Sequence, residues 1–318
     1  MRRRQELDDS TFRIGRGALL ALILAGIAPL AVAHDTASPP SAGDEAVVLE
    51  QQPAQEEPPP AADLSLATEK IRTGAYAEAE TILAALQPQF PEDPALLLMH
   101  GEVLLAVGRA DEASDALRRC VELDPERPRA HFQLATALAS SGQSDPALEE
   151  FAREIEINPD LDVKILAHLN RSMLLQQAKR WRDAATELEA VIQLDPSRKE
   201  AYGDLATLYI QAGDTEAGVD ALQRGKSAGF SSATHYYSLG ARLYNSKMYE
   251  DAVTMLGEAL AVDPAMAEAE RSLAAALGHL GREDEAVEHL RRYLDLRPDA
   301  PDADVVSERI RAAENAGQ

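Results

Sequence analysis

Downstream of residue 60 the apolar positions return with a long period. A small residue stands at Ala79, Ala113, Ala147, Ala184, Gly218, Ala252 and Ala286, in steps of 34, 34, 37, 34, 34 and 34 residues. Four places after each comes a large apolar residue: Leu83, Leu117, Phe151, Leu188, Leu222, Leu256 and Leu290. Proline closes the interval at Pro91, Pro125, Pro159, Pro196, Pro264 and Pro298, and glycine marks its middle at Gly74, Gly108, Gly142, Gly213 and Gly281. Apolar residues at helical spacing line one face of a helix, and glycine and proline interrupt it. Each interval therefore predicts a helix, a tight turn and a second helix. The small residues let helix backbones approach closely, and the large ones fill the spaces between.

A 34-residue period with a small residue at position 20 and proline at position 32 resembles the tetratricopeptide repeat. The repeats fall at 60–93, 94–127, 128–161, 165–198, 199–232, 233–266 and 267–300. The resemblance implies an all-α fold: a right-handed superhelical α-solenoid of about seven helix-turn-helix repeats. Residues 301–318 carry Val305, Val306 and Ile310 among charges, which reads as a capping helix over the last open face. Pro94 and Pro128 are placed to start helices, with Asp93 as a cap. Two departures should perturb the stacking. Three extra residues lie within Pro159 to Lys164, and the fifth repeat has Gly225 and Gly229 before Phe230 where a proline is due.

In this family the first helix of each repeat lines a concave groove, and partner contacts come mostly from positions 2, 5, 9, 12 and 13. The resemblance therefore implies a partner-binding groove containing Leu98, Phe132, Leu169, Met173, Gln176, Tyr237, Tyr244 and Asn245. Gln177, Thr207, Gln211 and His279 occupy further positions of that set. Such a lining, apolar with amide and hydroxyl interruptions, suits a peptide with apolar anchors.

Charge and composition narrow the function. The net charge of −23 argues against nucleic acid, whose phosphates need clustered Lys and Arg, and against an anionic membrane surface. Cys120 is the one cysteine, so neither an intrachain disulfide nor a cysteine metal site is expected, and its position is a packing slot. His131 and His168 share position 4, also a packing slot. No nucleophile elbow, phosphate loop or metal spacing is present, so neither a cofactor nor catalysis is expected.

The N-terminus has the features of an export signal. Arg2, Arg3, Arg4, Arg13 and Arg16 precede an apolar run from Gly17 to Ala28, and Ala31-Val32-Ala33 forms an A-x-A site. Residues 1–33 read as a bacterial-type signal peptide, with an uncleaved membrane anchor as the alternative. No membrane span is expected after cleavage, and the mature protein is expected in the periplasm or outside the cell. Residues 34–59 hold six acids, repeated prolines and no Lys or Arg, the composition of a disordered spacer. The expected function is a scaffold or adaptor in the bacterial envelope that binds a protein or peptide segment. A carrier of a small apolar ligand and an accessory subunit of an envelope enzyme or assembly complex are the competing readings.

Overall fold

The computed structural model describes residues 61–316, so the expected signal peptide and spacer lie outside the described residues. Among the described residues fifteen helices follow one another, with no strand. They are α1 (Ala61–Arg72), α2 (Tyr76–Leu86), α3 (Pro94–Ala106), α4 (Ala110–Leu123), α5 (Ala130–Ser140), α6 (Ser144–Ile157), α7 (Leu161–Gln177) and α8 (Trp181–Leu194). Then come α9 (Lys199–Ala212), α10 (Thr215–Ser227), α11 (Ala233–Asn245), α12 (Tyr249–Val262), α13 (Ala267–His279), α14 (Glu283–Leu296) and α15 (Ala303–Ala316). Seven antiparallel pairs and a final single helix make an all-α solenoid. Two compact units divide within α7, the first ending at Ala167 and the second beginning at His168.

The turn inside every pair is the same. Residues 74, 108, 142, 179, 213, 247 and 281 all have positive φ. The next residue's N–H then donates to the carbonyl five places back, from Ala75 to Lys70 at 2.8 Å through to Arg282 to Leu277 at 3.0 Å. This left-handed cap closes a helix by satisfying its last carbonyls. Glycine takes the conformation freely in five turns. Lys179 and Lys247 take it in the other two, at φ 57° and 64°, a conformation that costs a residue with a Cβ about 1 kcal/mol. The packing of neighbours imposes it where the sequence does not ask for it.

Packing follows the register. The small residues at position 20, from Ala79 to Ala286, are buried in all seven pairs. Leu83, Leu117, Leu222 and Leu256 are 0% exposed at position 24. A Cβ on Gly101 would stand 2.4 Å from Leu117 Cγ, and one on Gly240 would stand 2.7 Å from Leu256 Cγ, so these helices approach where only glycine fits. Cys120 is fully buried, its thiol pushed up to about 11 by burial and its Sγ 3.2 Å from the Pro94 carbonyl. It is a packing residue, as its slot implied.

Helix starts divide the two prolines. Asp93 Oδ1 accepts from the N–H groups of Ala95 and Leu96 at 2.7 and 3.0 Å, and Pro94 opens α3. Pro128 does not open α5, contrary to expectation. Arg129 adopts φ 69°, and the helix begins at Ala130. Its free N–H groups point instead at Glu154 of α6.

Both irregular places are absorbed locally. The three extra residues lengthen α7 to 17 residues, begun by Asp160 Oδ1 accepting from Asp162 and Val163. The fifth repeat ends α10 through Gly229 at φ 85°, after which Phe230 folds back over Gly203, where a Cβ would meet its ring at 2.4 Å. In α15 Val306 and Ile310 are buried, whereas Val305 is 67% exposed, and the helix packs on α14.

Candidate partner-binding face

The first helices of the pairs are α1, α3, α5, α7, α9, α11 and α13. Each buries one side and leaves a stripe open, and the stripes differ between the two units.

In the first unit the stripe is satisfied from within. Glu102 on α3 accepts from Gln133 Nε2 on α5 at 3.0 Å and lies 3.9 Å from the Arg129 guanidinium. Burial raises its pKa, and Arg129 partly offsets this. Thr136 donates to the Phe132 carbonyl and Ser140 to the Thr136 carbonyl. Leu98 is half-buried. Phe132, expected in the groove, is not on a surface. It is 3% exposed and packs edge-on against Phe151, with centroids 5.3 Å apart at 71°. Position 5 points into the pair here because Phe151 offers a flat apolar face that burial favours over solvent.

In the second unit Leu169, Met173 and Gln176 are half-buried on α7, as are Tyr237 and Tyr244 on α11; Asn245 is exposed. Gln176 donates weakly to Ser172 Oγ at 3.3 Å. Tyr244 is engaged between repeats. Its hydroxyl lies 3.2 Å from His279 Nε2, and its ring is tilted against Tyr249 and His279, which stack on each other at 4.5 Å and 7°. The most open positions on α9 and α11 include Glu200, at position 2 of the expected register, and two residues at position 6, outside it: Asp204 and Ser238. Desolvation raises the pKa of Asp204, and the nearby His235 only partly offsets this. The signal for Asp204 and Ser238 was available in the sequence: each is a polar residue one helical turn after a polar residue at position 2, Glu200 and Thr234.

Second helices treat charge differently. Five of the seven, α4, α6, α8, α10 and α14, carry ion pairs closed at or within one helical turn, such as Arg109–Glu112, Arg153–Glu156, Arg180–Asp183 and Arg282–Glu285, while α2 and α12 carry none among the described residues. No such pair forms within α9, α11 or α13 among the described residues. A shallow, open cleft of about 360 Å³ lies between α12 and α14, floored by Leu273 and Leu277 of α13. Arg282 and Glu285 on its rim already pair with each other.

Three histidines pair with glutamates across one repeat register, positions 4 and 23. His131 meets Glu150 at 2.6 Å, His168 meets Glu187 at 2.7 Å, and Glu270 meets His289 at 2.5 Å with the residue types exchanged. No three His, Cys, Asp or Glu side chains converge among the described residues. These are helix-joining pairs. His131 also faces the Pro125 carbonyl, 3.0 Å from Nε2. Two acceptors on two ring nitrogens are both satisfied only by imidazolium. Burial works against that charge, but the hydrogen bonds to Glu150 and Pro125, with the charges of Glu150 and Glu154, raise the pKa. A raised folded value stabilises below the ordinary value near ~6.5 and loses its effect as pH rises through the folded value. His100 in the same unit has the opposite sign: burial lowers its pKa, so its contribution is lost as pH falls. Wild type minus His131→Gln isolates the first effect. The expected difference in melting midpoint is largest near pH ~6 and shrinks as pH rises through the folded value; a difference constant across that range would assign His131 the neutral form.

Models of the tetratricopeptide repeat match residues 98–162, 175–243 and 239–301, together more than half of the chain. The C-terminal part of a TPR repeat-containing protein from Cytophaga hutchinsonii aligns with a TM-score of 0.55 at 12% identity, over 76% of this chain and 98% of that one. A chain in the structure of Naa15/Naa10 bound to HypK-THB aligns with a TM-score of 0.59 at 15% identity, over 80% of this chain and 39% of that one. The crystal structure of MamA aligns at 22% identity over 52% of this chain and 95% of that one, with a TM-score of 0.42. No curated protein matches the chain. At these identities the likeness to solved structures is one of fold. The matched repeats, the seven common turns and the buried small residues agree: the chain belongs to the tetratricopeptide-repeat family.

Proposed function

We propose that this chain is a non-catalytic scaffold that holds a protein or peptide segment on its first-helix face, within the bacterial envelope. Tetratricopeptide repeats are interaction modules, which supports the general reading. One observation carries the choice of face. Second helices α4, α6, α8, α10 and α14 close ion pairs within a turn and α12 does not, whereas α9 and α11 close none and hold the side chains of Glu200, Asp204, Gln211, Arg242 and Asn245 with neither a hydrogen bond nor an ion pair among the described residues, on the face that carries half-buried Leu169, Met173 and Tyr237. Groups left unpaired on a structured surface are available to a partner. The envelope setting rests on the sequence of residues 1–33. Among the described residues no helix is long and apolar enough to cross a membrane.

The test places a photo-crosslinking amino acid at Asn245 on α11, or at the exposed Asp251 on α12, in the full chain in cells. The expected result is a discrete adduct with an envelope protein from position 245 and none from 251. Adducts from 251 alone would move the working surface to the second helices.

A further inference from the structure

The first-helix face of the second unit has a spacing as well as a chemistry. Position 13 carries Gln177, Gln211, Asn245 and His279 in four successive repeats, all exposed. His279 is engaged with Tyr244 and Tyr249. The amides of Gln177, Gln211 and Asn245 have no hydrogen-bond partner among the described residues. α9 packs on α11 and α11 on α13. Packed helices stand about 8–10 Å apart. An extended chain rises about 3.3 Å per residue, so it advances about three residues from one helix to the next. A polyproline-II segment turns the same face outward every three residues, at about 3.1 Å each. The two spacings match.

An amide donates and accepts at once, as a peptide unit does. A partner helix would bring its backbone groups already paired and leave these amides unused. An extended segment brings them free. Charge then selects the side chains. Glu200 and Asp204 stand one turn apart on the open face of α9, with no ion pair among the described residues. Asp204 and Gln211 are two turns apart, about 10 Å, within the combined reach of both side chains and a long cation. Arg242, unpaired on α11, keeps a partner's cation to the α9 end of the face. A glutamate-bearing segment, including this chain's own acidic residues 34–59, is disfavoured there.

Resting on the reading above, we infer that this face takes an extended, basic polypeptide segment. Its backbone lies on the amides of Gln211 and Asn245, and an arginine or lysine reaches Asp204 and Glu200.

The probes are three labelled proline-rich peptides of about twelve residues, carrying arginine, glutamine or glutamate at every third position. Fluorescence anisotropy is read on the full chain. The arginine peptide is expected to bind and the glutamate peptide not to. Glu200→Gln with Asp204→Asn is expected to weaken the arginine peptide about tenfold. Glu216→Gln with Asp251→Asn, an equal change of charge on exposed second-helix positions, is expected to change it less than about twofold. Gln211→Ala with Asn245→Ala should weaken the arginine and glutamine peptides alike. Equal loss from both charge pairs overturns the inference, because bulk charge would then explain the binding. So does failure of the arginine peptide to bind. If all three peptides bind alike and the amide substitutions weaken them, the basic preference falls while the first-helix reading stands. If binding survives every first-helix substitution, both fall.

Discussion

Glu154→Ala is expected to destabilise the first unit by about 3–5 kcal/mol, more than most single substitutions in a repeat protein. Glu154 sits at position 27, where other repeats place Cys120, Gly225 or Ala259. It is 0% exposed. Its Oε1 accepts from the Arg129 N–H at 2.8 Å and its Oε2 from the Phe132 N–H at 3.1 Å; the Asn158 side-chain amide also donates to Oε1. The carboxylate thus supplies the cap that Arg129, left-handed and without a side-chain cap of its own, cannot give α5. A negative charge at a helix N-terminus is favourable, and hydrogen bonds to a charged acceptor contribute about 1.5–3 kcal/mol each. Alanine would leave two buried backbone donors and one amide unsatisfied. Glutamine keeps one acceptor oxygen and should cost about half as much. Repeat arrays unfold unit by unit, so hydrogen exchange at the Phe132 amide is the direct readout, with the denaturation midpoint beside it. A change below about 1 kcal/mol for Glu154→Ala would mean that water caps α5 equally well.

The contrast between Glu154 and Ala147 shows where the sequence is informative. Ala147 belongs to a series recurring every 34 residues, and its burial is legible because seven copies must solve one packing problem. Glu154 breaks its series, and a lone acid among Leu86, Cys120, Val191, Gly225, Ala259 and Tyr293 looks like surface until Arg129 is seen at φ 69°. The same holds for Lys179 and Lys247, whose conformation is set by neighbours and not by their own preference. On the proposed partner face, the exposure of Asn245 is legible because position 13 is open in four repeats, at Gln177, Gln211, Asn245 and His279. That of Asp204 is not, because position 6 lies outside the expected set. Position 5 misleads for a physical reason: half its side chain belongs to the interior, so its residue type reports packing as much as exposure. The extra residues after Pro159 read as a disturbance, yet a helix absorbs them by starting one turn earlier, capped by Asp160.

Phe132→Ala is expected to cost about 3–5 kcal/mol of folding stability, the range for removing a buried phenylalanine ring. A residue of the groove would behave otherwise: its truncation would leave the melting midpoint nearly unchanged and weaken only the partner. The geometry favours the first outcome, because the ring is 3% exposed and its edge-on contact with Phe151 adds to the area it buries. Its backbone N–H also ends on Glu154 at 3.1 Å, so the cavity would open beside the cap of α5. Losses at Phe132 and Glu154 should therefore not add, and the double variant should fall short of the sum by about 0.5–3 kcal/mol. Asn245→Ala, on an open stripe of the second unit, supplies the comparison, with an expected change within about 0.5 kcal/mol. Thermal melts and denaturant titrations of these variants decide the matter. A Phe132→Ala protein as stable as wild type would return Phe132 to the partner face.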